Sequence, residues 1–270
     1  MGLILCENIT AKNPYYIEEL DINIYSIEEL GYILYEHPLL VIEDFISTAL
    51  FDFIKTELKK EALALSVEKM YAEKVSDENI IIYILEAMDF YKSSEIAKYK
   101  NLLAGYRKLK RFEFLKAKAD YMFTIKRYGK AIRFYSIIGK LPHDRSINDK
   151  FLGRVYHNMG SAYANLFLYE KAFDSYKRAF EYLGEREILK KIYFLSKLGE
   201  NEELAKLSED IIGESRGMSW DSEYDEALQK ALASEHMEYL EAIMKKDSYQ
   251  RHILINKLAT EWKHEYRNMI

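Results

Sequence analysis

At 270 residues, with 49% hydrophobic and 31% charged side chains, the chain can bury a sizeable core and is too apolar to be disordered. A net charge of −5 argues against a nucleic-acid-coating protein, and one cysteine, Cys6, excludes an intrachain disulfide and points to a reducing compartment. Three prolines and eleven glycines are too few for the turns of a strand-rich fold, so long helices joined by short loops are expected.

In chain order, Leu3–Asp21 is a mixed segment with a turn signal at Asn13-Pro14. Ser26 followed by Glu29 forms a capping box, and a helix through Ile27, Leu30, Ile33 and Leu34 is expected to end at Pro38. A second helix from about Leu40 carries Ile42, Phe45, Ile46, Ala49, Leu50, Phe53 and Ile54 at helical spacing. Lys59–Tyr71 continues with Ala62, Leu65 and Met70 as its stripe. The helix opened by Ser76-Asp77-Glu78 is apolar almost all round from Ile80 to Leu85, which marks it as central to the N-terminal core. Ser93-Ser94 separates it from a helix over Glu95–Lys110. No strand alternation runs longer than a few residues.

Beyond residue 110 a repeat emerges. Tyr156, Met159-Gly160 and Tyr163 are followed by Tyr169, Ala172, Tyr176 and Ala179. Gly160 and Ala172 are small where two antiparallel helices must cross closely, and the rings fill the flanking holes. The preceding unit shows Leu115, Ala119, Met122, Tyr128, Ala131 and Tyr135 in the same order, with a long linker over 141–148. The following unit, with Leu189, Ile192, Tyr193 and Ala205, is weaker, and Glu200-Asn201-Glu202-Glu203 opens its second helix. From Trp220 three more helices are expected, on Tyr224/Leu228/Leu232, Met237/Leu240/Ile243/Met244 and Ile253/Leu254/Leu258/Trp262.

The pattern over 150–184 resembles the tetratricopeptide repeat, with Met159 replacing the usual leucine and Gly184 the final proline. The opening Asn13-Pro14-Tyr15-Tyr16-Ile17-Glu18-Glu19 is similar to helical-repeat proteins of Firmicutes-type bacteria, a likeness that carries no activity. The resemblance implies an all-α, right-handed α-α superhelix: an acidic N-terminal helical region (1–110), tetratricopeptide-like repeats (111–213) and C-terminal capping helices (214–270). It also implies a concave groove lined by the first helices of successive repeats. In some family members that groove clamps the C-terminal carboxylate of a peptide. Lys116, Asn158 and Lys191 match basic or amide positions of that clamp, whereas Asp120 and Glu187 carry the opposite charge. Arg154, His157, Ser161, Ala164 and Asn165 complete the face of the best repeat, and Lys190 adjoins Lys191. A groove for an extended or helical peptide is favoured over the specific clamp.

Charge is unevenly spread. Residues 1–90 hold 6 lysines, no arginine and 18 acidic residues, a balance of −12; residues 91–150 hold 16 basic and 5 acidic residues, a balance of +11. Either the two fields offset within the chain, or the basic surface recruits an acidic partner; the first is favoured, because unlike charges in one compact chain meet first. The basic run Arg107–Arg111 before Phe112 straddles a helix end, where cations offset the macrodipole.

No histidine pair has metal-ligand spacing on a helix, and no phosphate loop or nucleophile elbow occurs. His143-Asp144 reads as a turn and Cys6 as a bystander. Gly2-Leu3-Ile4-Leu5-Cys6 fits neither a signal peptide nor a lipid-attachment site, and no apolar run approaches the about 18 residues that span a bilayer. The expectation is a cytoplasmic, cofactor-free protein- or peptide-binding scaffold or adaptor, not an enzyme, with self-association open. The alternative is a cytoplasmic sensor of a short signalling peptide that regulates a partner protein.

Overall fold

The computed structural model describes residues 10–142, 147–199 and 202–270. Cys6, His143-Asp144 and Glu200-Asn201 lie outside them. The described chain is all-α: fifteen α-helices and one two-stranded hairpin. By contact it divides into two compact units, Met1–Lys118 and Ala119–Ile270.

The first unit opens with β1 (Tyr15–Ile17) and β2 (Ile22–Ile24), antiparallel with Tyr15 opposite Ile24. These strands are too short to show an alternation. Their turn needs a left-handed residue, and Asp21 supplies it at φ 53°. In α1 (Ile27–Glu36), the Ser26 hydroxyl accepts from the Glu29 N–H at 3.2 Å, and the Glu29 carboxylate accepts from the Tyr25 N–H. The capping box is present, with the carboxylate reaching one residue further upstream than Ser26.

The next stretch corrects two expectations. The single helix from Leu40 is three pieces: α2 (Pro38–Val41), then α3 (Thr48–Asp52) running into a π-helical turn, Phe53–Glu57. The break has local causes. Asp44 adopts φ 59°, and the Ser47 hydroxyl caps a fresh start by accepting from the Leu50 N–H at 3.4 Å. Ile42, Ile46, Leu50, Phe53 and Ile54 are buried all the same, while Ala49 faces solvent. Lys59, at φ 57°, then separates α4 (Glu61–Ala72). Its buried positions are Ala64 and Val67, and Ala62 and Leu65 are exposed. Composition did not set the phase of this helix; the turn at Lys59 did.

α5 (Asp77–Met88) buries Ile80, Ile81, Ile82, Ile84 and Leu85, the central role its sequence suggested. α6 (Ser93–Arg107) packs tyrosine on tyrosine. Tyr35 stacks on Tyr91 and Tyr99 with centroids 4.0 and 5.2 Å apart, and the Tyr99 hydroxyl donates to the Leu34 carbonyl. Burial pushes the Tyr91 phenol up to about 12 and the Tyr99 phenol further. Glu19 pairs with Lys118 at 3.3 Å and Glu78 with Arg107, so acidic N-terminal residues meet the basic middle inside this unit.

α7 (Arg111–Thr124) carries the boundary between units. In the second unit α8 (Tyr128–Ile138), α9 (Asp149–Asn165), α10 (Tyr169–Leu183), α11 (Arg186–Leu198) and α12 (Glu202–Ile212) each pack on their neighbours in sequence. Two turns repeat. Arg127 N–H donates to the Met122 carbonyl across Lys126 at φ 62°, and Leu168 N–H donates to the Tyr163 carbonyl across Phe167 at φ 59°. Positions 126 and 167 are 41 apart, the spacing of Ala131 and Ala172. Between α9 and α10 the contact is tightest: a Cβ at Gly160 would lie 2.7 Å from Tyr176 Cδ1, and Ala172 is fully buried.

α13 (Trp220–Leu232), α14 (Glu235–Met244) and α15 (Ser248–Met269) are the three expected C-terminal helices. Trp220 inserts into the core formed by Tyr176, Ile192 and Tyr193. Beyond it burial is sparse: Ile243 is the one buried residue of α14, and α15 has none. The end of α15 is nonetheless anchored. Tyr266 and Met269 pack on Tyr128, Ala162 and Leu166; Tyr266 donates to the Leu166 carbonyl at 3.3 Å, and Arg127 to the Asn268 carbonyl at 2.8 Å. Among the described residues no helix is long and apolar enough to cross a membrane.

Candidate functional site: a polar face on α9 and α11

Asn148 caps α9 by accepting from the Phe151 N–H at 2.8 Å. That start fixes the phase: Leu152, Val155, Tyr156 and Gly160 turn inward. Arg154, His157, Asn158, Ser161 and Asn165 occupy the other face.

Asp120 on α7 is the hub. Its Oδ1 accepts from the Tyr135 hydroxyl at 2.5 Å and from the Asn158 amide at 2.9 Å. The Asn158 Oδ1 faces His157 Nδ1 at 3.2 Å. Both ends of the Asn158 amide are thus engaged within the chain, and the acid at 120 is what holds it. Ser161 continues the row, donating to the His157 carbonyl at 3.2 Å and meeting the Tyr176 hydroxyl at 2.9 Å. Asn165 donates to the Ser161 carbonyl at 2.8 Å and is otherwise exposed. Arg154 is exposed with no hydrogen bond or ion pair among the described residues.

Lys191 reaches this row from α11, its Nζ 5.6 Å from the centroid of the Tyr176 ring. It is half-buried, and burial holds its ammonium below the usual lysine range; Glu187 opposes that shift through space. Lys190 does not join it. Its ammonium pairs with Glu223 on α13 and lies 5.8 Å from the Phe194 ring. Lys116 is half-buried on the part of α7 that belongs to the first unit. The structure therefore gathers Asp120, His157, Asn158, Ser161 and Lys191. Two groups that sequence reasoning treated only as seam-filling rings, Tyr135 and Tyr176, supply hydroxyls to the same row. Their spacing from Asp120 and Ser161 carries no sequence signal.

Burial, then the Lys191 charge, lowers the pKa of His157 below 6.5. The folded chain holds this imidazole neutral while the unfolded chain takes up the proton first. Its contribution is present above pH 6.5 and is lost as pH falls. His37, lowered by burial, acts in the same direction. Urea unfolding at pH 7.5 and 5.5 is expected to show a smaller drop in stability for His157→Gln than for wild type. An equal drop in the two proteins would remove His157 from this account.

No group of three metal-ligating side chains occurs among the described residues. No protein-family model, curated protein or solved structure matches the chain.

Proposed function

We propose that this chain is a protein- or peptide-binding scaffold or adaptor of tetratricopeptide type, and that the α9–α11 face receives an acidic or carboxylate group of its partner. One side chain carries the proposal. Lys191 is a half-buried cation with no hydrogen bond or contact ion pair among the described residues, set over the ring of Tyr176. A cation taken partly out of water, with a ring face and the through-space field of Glu187 but no contact anion, gains more from an incoming anion than a solvated one does. Arg154, exposed on the same face of α9, adds a second positive charge. His157 stays neutral at pH 7 and serves as a hydrogen-bonding group. A cytoplasmic setting fits the single cysteine.

The test is a random pentapeptide library displayed with free or amidated C-termini, read against wild type and Lys191→Ala. Selected sequences should be acidic or require the free carboxylate. Lys191→Ala should weaken them about tenfold or more, the scale of a charge-assisted hydrogen bond of about 1.5–3 kcal/mol. Enrichment of neutral, amide-tolerant peptides that bind both proteins alike would sink the proposal.

A further inference from the structure

The turn between α9 and α10 contains an anomaly. Phe167 holds φ 59°, a left-handed conformation that bulky residues rarely adopt, and the residue is 66% exposed. The matching position of the preceding turn is Lys126, also left-handed. A large ring therefore stands where the backbone favours glycine or asparagine and where burial returns little. Residues kept in such conformations cluster at binding sites.

Phe167 faces α15. With Ala259, Trp262, Tyr266 and Met269 it walls a cavity of about 600 Å³. That volume lies in the range of small-ligand pockets, which are mostly apolar with a few placed polar groups. Here the polar groups are Lys263, Glu265 and Arg267, a net charge of +1. Lys263 and Arg267 stand one helical turn apart, and neither has a hydrogen bond or ion pair among the described residues. Tyr266 is fixed by its bond to the Leu166 carbonyl, and Trp262 remains 51% exposed. A second cavity shares Trp262, Glu265 and Met269 with it and is otherwise lined by Ile125, Lys126, Arg127, His236 and Asn268. Two register-matched turns thus meet α15, and only the turn with Phe167 presents an aromatic ring to it.

We propose that the cavity between the α9–α10 turn and α15 binds an apolar carboxylate, with its apolar body held by Phe167, Trp262 and Met269 and its carboxylate by Lys263 and Arg267. Two sources share that chemistry: a free aromatic or aliphatic acid, and the last residue of a peptide that ends in an apolar side chain. The site is distinct from the face around Lys191 and does not depend on it.

Trp262 is the reporter. The chain has two tryptophans, and the other, Trp220, is buried in the core. Acrylamide quenching of the full-length protein therefore reads mainly Trp262. The probes are 3-phenylpropionate, octanoate, the amide of each, and an acetylated tripeptide ending in phenylalanine. The acids should protect Trp262 saturably and blue-shift its emission, with each amide at least about fivefold weaker, as the loss of one charge-assisted contact implies. Lys263→Gln with Arg267→Gln should erase the difference between acid and amide. Phe167→Asn should weaken the acids about tenfold while leaving the thermal midpoint unchanged or higher, because asparagine suits the left-handed position. Lys191→Ala should leave every value unchanged. The tripeptide binding more tightly than phenylpropionate identifies a peptide terminus as the ligand, and the reverse identifies a free acid. Absence of saturable protection, equal binding of acid and amide, or full binding by a stable Phe167→Asn protein would each overturn the assignment.

Discussion

Gly160→Ala is expected to destabilise the chain, although alanine is the better helix former by about 1 kcal/mol. A Cβ at 160 would sit 2.7 Å from Cδ1 and 2.9 Å from Cε1 of Tyr176, closer than real Cβ atoms approach, and a tight 3.1 Å from its Cγ. Those atoms belong to the root of a ring, not to the end of a flexible chain. The ring cannot swing away easily: it is buried, its hydroxyl is bonded to Ser161 at 2.9 Å, and His157 lies tilted against it at 5.8 Å. Overpacking of this kind costs about 1–3 kcal/mol, so a net loss remains for alanine, and valine should cost about 3 kcal/mol or more. Gly105 in α6 is the control. Nothing lies within 4 Å of a Cβ built there, so Gly105→Ala should gain about 0.5–1 kcal/mol through helix propensity alone. Urea unfolding of the two variants should move in opposite directions. A stabilised Gly160→Ala would mean that α9 and α10 do not cross as closely as described.

Where sequence reasoning succeeded, a local rule was enough. Gly160 and Ala172 show the close crossing because only small residues fit there, and the 41-residue offset survives as two turns with the same bonds. The capping serine at 26 sits where its side chain accepts from the chain three residues on. Failures came where the backbone leaves the right-handed region at a residue that does not announce it. Asp44 and Lys59 both have positive φ, and together they cut what looked like one long helical pattern and reset the phase of α4. An unbroken apolar stripe cannot reveal such a turn, because Ile42, Ile46 and Leu50 are buried with or without it.

The candidate face was legible only in part. Asn158 and Lys191 were visible as positions in a repeat, but the bond from Asn158 to Asp120 spans 38 residues. Sequence reasoning weighed Asp120 as a charge that repels a carboxylate. The structure adds that the same carboxylate orients the amide. Lys190 and Lys191 are neighbours in sequence, yet adjacent helical residues point about 100° apart. One therefore pairs with Glu223, and the other faces Tyr176.

Asp120 is where stability and binding are expected to separate. Asp120→Ala removes the acceptor of both the Tyr135 hydroxyl and the Asn158 amide. Tyr135 is almost fully buried, and burial together with Asp120 pushes its phenol well above the usual tyrosine range. An orphaned buried donor costs about 1–3 kcal/mol, so alanine should cost about 2 kcal/mol or more in urea unfolding. Asp120→Asn is the informative contrast. Both bonds go to Oδ1, and an amide oxygen in that place can accept both, so its loss should stay within about 1 kcal/mol. A double-mutant cycle of Asp120→Ala with Tyr135→Phe should be less than additive, since either change breaks the same bond. The effect on binding runs the other way. Asparagine at 120 keeps Asn158 in place and deletes the negative charge hydrogen-bonded into the row, leaving Glu187 acting on it through space, so acidic peptides should bind Asp120→Asn more tightly than wild type. Had the carboxylate been retained only for packing, the two proteins would bind alike; tighter binding would mean that Asp120 tunes the face against anions while holding it together.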